Sequence, residues 1–124
     1  MNFSTPTLVI NKAISLKNLD RMIDVVNKNN LVLRPHFKTH QSIEIGTWFK
    51  EKGVTSITVS SISMAKFFSS EWNDITIAFP LNILEIDKLN LMIRGNRVKL
   101  LIDSISSLKI LDGKLEDSIE IYLK

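Results

Sequence analysis

Cysteine is absent from this chain of 124 residues, which excludes disulfide bonds, thiolate zinc sites, iron–sulfur ligation and cysteine nucleophiles within it. Glycine and proline are scarce, with four and three residues. The glycines stand far apart, at Gly46, Gly53, Gly95 and Gly113, so the sequence contains no glycine-rich phosphate loop. Any chemistry must come from other side chains.

Long apolar runs are also missing. No stretch approaches the roughly 18 residues that a membrane-spanning helix needs, and the opening residues lack the basic and apolar segments of a signal peptide. We therefore expect a cytoplasmic protein without membrane contact. Its 44% hydrophobic and 23% charged residues predict one folded domain over residues 1–124. The net charge of +3 comes from scattered lysines, so nucleic acid is not the expected partner.

The first third of the chain predicts a helix, a strand and a second helix. Apolar residues at spacings of three and four predict a helix that is capped by Ser15 and closed by Asn29-Asn30. Alternation predicts a strand over residues 31–37. The next helix is predicted over residues 42–52, with Gly53 in the left-handed conformation at its end.

The strand and helix unit then recurs. Further strands are predicted over residues 54–59, 75–79, 98–102 and 119–123, and further helices over 63–68, 82–92 and 106–111. Such alternation predicts parallel strands with right-handed helical crossovers. About five strands fit either the first half of a (β/α)8 barrel or a complete open sheet. The last strand predicts an uncovered edge, which we expect a second copy or the rest of a barrel to cover.

Residues 34–40 hold both histidines and two cations within seven positions. Alternation places Arg34, His36 and Lys38 on one face of the predicted strand, with Lys38 at its carboxyl end, where barrel active sites are built. Two other interpretations fit the same pattern. One is a solvated face of a surface strand, and the other is a basic, phenylalanine-interleaved contact for single-stranded nucleic acid.

The run Leu33-Arg34-Pro35-His36-Phe37-Lys38-Thr39-His40, together with residues 5–10, 57–59 and 74–80, resembles the amino-terminal region of the D-threonine aldolase and D-serine dehydratase family. The similarity is clear up to about Pro80 and looser beyond. The resemblance implies an α/β fold that forms about the first five strands of a TIM-type barrel, like the amino-terminal domain of alanine racemase. The rest of the barrel and a β-domain would lie outside these residues.

The resemblance also implies site residues. In that family the lysine of the motif carries pyridoxal 5'-phosphate as an internal aldimine, and Lys38 stands at its position. His36, Thr39 and His40 match the motif and are expected to contact or orient the cofactor, although a structural hydrogen bond is an alternative for each. Arg34 is expected either to offset the cofactor's negative charge or to pair with a barrel carboxylate.

The implied function is that of a pyridoxal-phosphate-dependent lyase acting on small D-3-hydroxy amino acids. Phosphate loops and metal ligands come from later regions of such proteins, so no metal ligand is predicted here and a divalent metal only in a full-length protein. The chain alone is therefore expected to be inactive. An amino-acid racemase and a non-catalytic cofactor carrier of the same fold are the alternatives. Gln41, where many members have lysine, leaves the subfamily open.

Overall fold

The computed structural model describes residues 4–124, which divide into two compact units at the bond between Leu33 and Arg34. The first unit contains helix α1, Lys12–Lys28. This helix ends as predicted, with Asn29 at its carboxyl terminus and Asn30 in the left-handed conformation at φ 52°.

The predicted cap at Ser15 is wrong. The side chain of Asn11 caps α1 by accepting a hydrogen bond from the Ile14 N–H at 3.1 Å. Ser15 lies one turn inside the helix, and its hydroxyl donates to the Asn11 carbonyl oxygen at 2.9 Å. Asparagine caps helices as well as serine does, so the earlier of the two residues starts the helix.

The second unit is a parallel sheet with helices between its strands. The strands are β1, Ser56–Val59, β2, Asp74–Pro80, β3, Arg97–Ile102, and β4, Glu120–Leu123. The helices are α2, Ile43–Glu51, α3, Ile62–Phe68, α4, Ile86–Ile93, and α5, Ile105–Asp112. All neighbouring strands pair in parallel, in the order β1-β2-β3-β4. A doubly wound open sheet reverses its strand order, whereas a barrel adds each strand to the last, so the predicted α/β partial barrel is confirmed.

Most predicted elements of this unit are present with shifted ends. Helix α2 begins after Ser42, as predicted, and Gly53 after its end has the predicted left-handed φ of 84°. The helix predicted over residues 82–92 is instead a 3₁₀ turn, Ile83–Glu85, followed by α4.

The strand predicted over residues 31–37 is wrong. Residues 31–35 have no regular secondary structure, and His36 forms only an isolated parallel bridge with Thr58. Pro35 has no N–H to donate to a ladder, and the chain then enters a 3₁₀ turn, Phe37–Thr39. The segment thus occupies the position of a strand beside β1 without forming one.

The two faces of the sheet differ in polarity. One face is apolar and buried, and it consists of Ile57, Val59, Ile75, Ile77, Val98, Leu100 and Ile102. The other, which we call the polar face, carries Ser56, Thr58, Asp74, Thr76, Arg97, Lys99 and Glu120 at the alternate positions. Central parallel strands are usually apolar on both sides. A polar face on such a sheet therefore marks the side that would line a barrel interior.

Candidate active site

Phe37 anchors the motif to the helical side of the sheet. Its side chain is fully buried. The ring lies 5.3 Å from Phe49, 5.0 Å from Phe68 and 5.3 Å from Trp72, between centroids. Gly46 leaves room for this ring, because a Cβ atom there would lie 3.0 Å from Phe37 Cε2. Since Phe37 is enclosed, it is unavailable for stacking on bases, which removes the aromatic half of the nucleic-acid interpretation.

Lys38 follows immediately and is exposed. It lies in the 3₁₀ turn just beyond the His36–Thr58 bridge, on the side of the sheet where the parallel strands end. Within residues 4–124, no carboxylate forms an ion pair with its amine. The predicted alternation of Arg34, His36 and Lys38 along one strand is wrong at its last member, because the strand-like backbone stops at His36 and the turn begins.

His36 shapes the turn that presents Lys38. Its Nδ1 accepts a hydrogen bond from the Lys38 backbone N–H at 3.2 Å, and its carbonyl oxygen accepts one from the Thr39 hydroxyl at 3.4 Å. Partial burial, with a smaller contribution from the charge of Lys38, lowers the pKa of His36 below its ordinary value. A neutral imidazole is what the acceptor role of Nδ1 requires.

His40 closes the motif against the aromatic cluster. Its ring centroid lies 4.5 Å from that of Phe37, and its Nδ1 accepts a hydrogen bond from the Ser42 backbone N–H at 3.1 Å. Burial lowers the pKa of His40, and its Nε2 is buried with no hydrogen-bond partner among the described residues. The next residue, Gln41, has a φ of 46°, a strained value for a residue other than glycine.

Arg34 lies at the opposite end of the segment, among charges. Its Nη1 donates to Asp74 Oδ1 at 2.6 Å and to the Ile57 carbonyl oxygen at 3.4 Å. Two roles were expected for Arg34. Its contacts fit the second of them, which is pairing with a carboxylate of the barrel, here that of Asp74. Asp74 is the first residue of β2, so this pair lies at the amino end of the strands.

Asp74 and Glu120 collect the cations of the polar face. Lys99, with a side chain only 7% exposed, has its amine 3.7 Å from Asp74 Oδ2 and 3.1 Å from Glu120 Oε1. Arg97 lies 3.8 Å from Asp74 Oδ2 and 3.0 Å from Glu120 Oε2. Three cations thus share two carboxylates. The five groups come from strands β2, β3 and β4 and from residues 34–40, which we call the motif segment. We call these five side chains, Arg34, Asp74, Arg97, Lys99 and Glu120, the charge cluster.

The charge cluster shifts the titration of its carboxylates. Partial burial alone would raise the pKa of Asp74, but the hydrogen bond and charge of Arg34, with the charges of Lys99 and Arg97, outweigh it and lower the pKa. Hydrogen bonds from Lys99 and then Arg97 lower the pKa of Glu120. Both carboxylates are therefore held in the charged form.

Sequence reasoning did not name Asp74, Lys99 or Glu120 as site residues. The signal that marks these charged residues is visible once β3 is known. Arg97 and Lys99 alternate with Val98 and Leu100 in β3, and a central parallel strand is ordinarily apolar on both faces. Basic residues at such positions need acidic partners on the neighbouring strands, and the register supplies both.

Beyond the motif, three other kinds of functional feature come into question: a metal site, a membrane-spanning helix and a cleft. Within residues 4–124, no three histidine, aspartate or glutamate side chains converge as metal ligands would. No helix of the described part is both long and apolar enough to cross a membrane. A cleft of about 270 Å³ lies beside Gln41 and is lined by Ser61, Ser63, Met64 and Phe67. It adjoins the end of the motif and belongs to the same end of the sheet.

Two curated proteins are similar to most of this chain. D-serine dehydratase of Dictyostelium discoideum is 32% identical over 114 residues, which cover 87% of this chain and 29% of that protein. D-threo-3-hydroxyaspartate dehydratase of Delftia sp. strain HT23 is 30% identical over 109 residues, which cover 86% and 29%. The chain thus spans about a third of the length of these relatives. No family model matches it.

Solved structures agree with the sequence comparison. The structure of the Delftia dehydratase superposes with a TM-score of 0.85 at 27% identity and covers 98% of this chain and 33% of that one. D-threonine aldolase of Filomicrobium marinum has the same fold, with a TM-score of 0.88 at 20% identity and coverage of 97% and 34%. These findings confirm the resemblance seen in residues 33–40: the chain is similar in sequence to a D-serine dehydratase and a D-threo-3-hydroxyaspartate dehydratase and shares the fold of a D-threonine aldolase, over 29% to 34% of the length of those proteins.

Proposed function

We propose that this chain forms the amino-terminal part of a pyridoxal-phosphate-dependent lyase for D-3-hydroxy amino acids, with Lys38 as the residue that bonds to the cofactor. The observation that supports this most directly is the exposed amine of Lys38, which forms no ion pair with any residue in the described range 4–124, on an anchored turn at the carboxyl end of the sheet. Two dehydratases and an aldolase among the similar proteins favour a lyase.

The residues present fit one end of the cofactor. A primary amine can condense with an aldehyde, and within residues 4–124 no carboxylate forms an ion pair with the Lys38 amine. His36 and Thr39 keep the turn in shape through their hydrogen bonds. A phosphate group requires further donors, which the proposal assigns to later strands of a longer protein.

When bound, pyridoxal phosphate supplies an electron-accepting ring next to the substrate's alpha carbon. The part of this chain is to hold that ring at the mouth of the barrel and to move protons. In this proposal the amine of Lys38 would take or give a proton at the substrate's alpha carbon or hydroxyl. His36 lies beside it, and its lowered pKa keeps it neutral.

Chemical trapping tests the role of Lys38. The full chain is incubated with pyridoxal phosphate, reduced with borohydride and digested, and each lysine's label is measured by mass spectrometry. We expect preferential labelling of Lys38 over Lys109, which is an exposed lysine of α5. Lys38→Arg should remove the preferred label and leave that of Lys109 unchanged. Equal labelling of the two lysines in the unmodified chain would contradict the proposal.

Product analysis separates the lyase from its alternatives. The chain alone should release no pyruvate from D-serine and no glycine from D-threonine, because the proposal assigns the phosphate donors to later strands of a longer protein. A longer form of the protein should release one of them. Formation of the L-amino acid would instead indicate a racemase, and slow cofactor exchange without turnover would indicate a carrier. Turnover by the 124-residue chain itself would overturn the predicted inactivity.

The proposal also covers metal and partners. One structure similar to this chain is the metal-free form of a D-threo-3-hydroxyaspartate dehydratase variant, so a divalent metal should be tested on the longer protein. Leu123 and Tyr122 at the outer strand β4 are 80% and 41% exposed. We expect this edge to be covered by a second copy or by further barrel strands. A light-scattering mass of one chain would exclude the second copy.

A further inference from the structure

Backbone bonding holds the segment that carries Lys38 only weakly. Within the described part of the chain, the segment meets β1 only at the isolated bridge between His36 and Thr58, whose well-formed backbone hydrogen bond runs from the Thr58 N–H to the Pro35 carbonyl oxygen at 2.8 Å. Pro35 cannot donate a second one. An ordinary strand in this position would have a ladder of such bonds. Side chains must therefore fix the segment.

Two side chains of the segment, both of which precede Lys38, lie on opposite sides of the sheet. Phe37 enters the aromatic cluster on the helical side and is fully buried. Arg34 reaches onto the polar face and binds Asp74 at 2.6 Å, with side chains 19% and 23% exposed. A charge-assisted hydrogen bond that is partly shielded from water is stronger than a solvated surface pair.

Asp74 links this segment to the rest of the sheet. Its Oδ1 accepts from Arg34, while its Oδ2 faces Lys99 and Arg97 of β3 at 3.7 and 3.8 Å. Glu120 of β4 contacts the same two cations of β3, yet within residues 4–124 neither an ion pair nor a hydrogen bond joins it to Arg34. The charge cluster therefore contains two carboxylates, and Asp74 is the one that forms an ion pair with a residue of the motif segment.

We infer that Asp74 is a positioning residue for Lys38, acting through its ion pair with Arg34 to hold the motif segment on the sheet and so set where the amine stands. This inference rests on the proposed role of Lys38. Asp74 acts on the amine of Lys38 only indirectly. It lies at the amino end of β2, whereas Lys38 lies in the turn at the carboxyl end of the segment. Phe37 and His40 hold the carboxyl end of the segment in the aromatic cluster, whereas Arg34 is the side chain that ties its amino end to the polar face.

Trypsin cleavage measures the anchoring without any cofactor. Trypsin does not cut the Arg34–Pro35 bond, so cleavage at Lys38–Thr39 reports on this segment. In the full chain, Asp74→Asn should speed that cleavage about fivefold to tenfold, because the charge of the pair is lost while the side chain keeps its size. Glu120→Gln is the matched control and should cleave at the unmodified rate. Equal rates for the two variants would overturn the inference.

The partnership with Arg34 is tested by combination. Arg34→Gln with Asp74→Asn should be cleaved no faster than Asp74→Asn alone, since both changes remove one interaction. Additive effects would show that Asp74 acts without Arg34. Circular dichroism verifies that each variant is folded. If Asp74→Asn is unfolded, Arg34→Gln alone replaces it, because it removes the charge that pairs with Asp74 and leaves Asp74 near Lys99 and Arg97.

Labelling distinguishes positioning from general loosening. The ratio of pyridoxal-phosphate label on Lys38 to that on Lys109 should fall about fivefold in Asp74→Asn and remain unchanged in Glu120→Gln. An unchanged ratio in Asp74→Asn would overturn the inference. If the unmodified chain shows no preference for Lys38, the proposed function fails instead. The cleavage rates still decide in that case whether Asp74 anchors the segment.

Discussion

The two ends of the polar face are built in opposite ways. At the amino end of the strands, the charge cluster pairs every charged group with a group of opposite sign, and its carboxylates have lowered pKa values. At the carboxyl end, Lys38 is exposed, and within residues 4–124 no carboxylate pairs with its amine. A charged group that is held in a partly buried ion pair is costly to separate from its partner and is therefore unreactive. An amine without such a partner remains available for reaction. Under the proposed function, the comparison separates a supporting end at the charge cluster from a reactive end at Lys38, as barrels do.

The largest expected effect comes from breaking the anchor of the reactive end. Phe37→Ala removes a fully buried ring that contacts Phe49, Phe68 and Trp72. We expect a loss of about 3–5 kcal/mol in the free energy of unfolding. Urea titration followed by circular dichroism measures it. Phe67→Ala is the matched control, because Phe67 is 51% exposed, and a similar loss for both variants would refute the anchoring role.

A smaller effect should follow from crowding the same anchor. Gly46→Ala places a methyl group 3.0 Å from Phe37 Cε2, and the buried ring has little room to give. We expect a destabilisation of about 1–2 kcal/mol, less than full overpacking because alanine favours the helix. Gly95→Ala is the control, since nothing lies within 4 Å of the added atom. The same denaturation assay should show a change of about 0.5 kcal/mol or less for this control.

Acid should weaken the supporting end. The pKa values of Asp74 and Glu120 are lowered in the fold from 3.8 and 4.5, so the charged forms stabilise the folded state above those values. That stabilisation is lost as the pH falls through the lower folded values. Urea midpoints measured from about pH 7 to about pH 3 should fall less steeply for Asp74→Asn than for the unmodified chain.

A matched carboxylate serves as the comparison in that experiment. Asp112 lies exposed at the end of α5. Asp112→Asn should preserve the acid dependence of the unmodified chain. If it flattened the curve as much as Asp74→Asn does, the charge cluster would not be the source of the acid sensitivity.

The smallest effect concerns the state of His40 rather than stability. Its Nδ1 accepts a hydrogen bond and its pKa is lowered by burial, so the neutral form with the proton on Nε2 should persist as the pH falls below 6.5. Nitrogen NMR of the imidazole distinguishes the two tautomers and the cation. A cationic His40 at about pH 6.5 would show that the ring leaves the aromatic cluster.

Local patterns predicted the repeating part of the fold. The elements from α2 to β4 follow from apolar runs of the right length and from serine, asparagine and glycine at their ends. Their parallel arrangement follows from alternation alone. The segment of residues 31–37 was mispredicted because its alternation is that of a strand, while Pro35 and the turn at Phe37 prevent a ladder. Alternation shows which way side chains point, not whether the backbone finds a partner.

The site divides along the same line. The sequence by itself determined the motif of residues 34–40, the family that it resembles and the alternation of charge within β3, because each of these is local. Only the tertiary structure decided that Arg34 pairs with Asp74, forty residues away, and that Lys99 lies between Asp74 and Glu120. Ion pairs depend on strand register, and register is set when separate elements pack together.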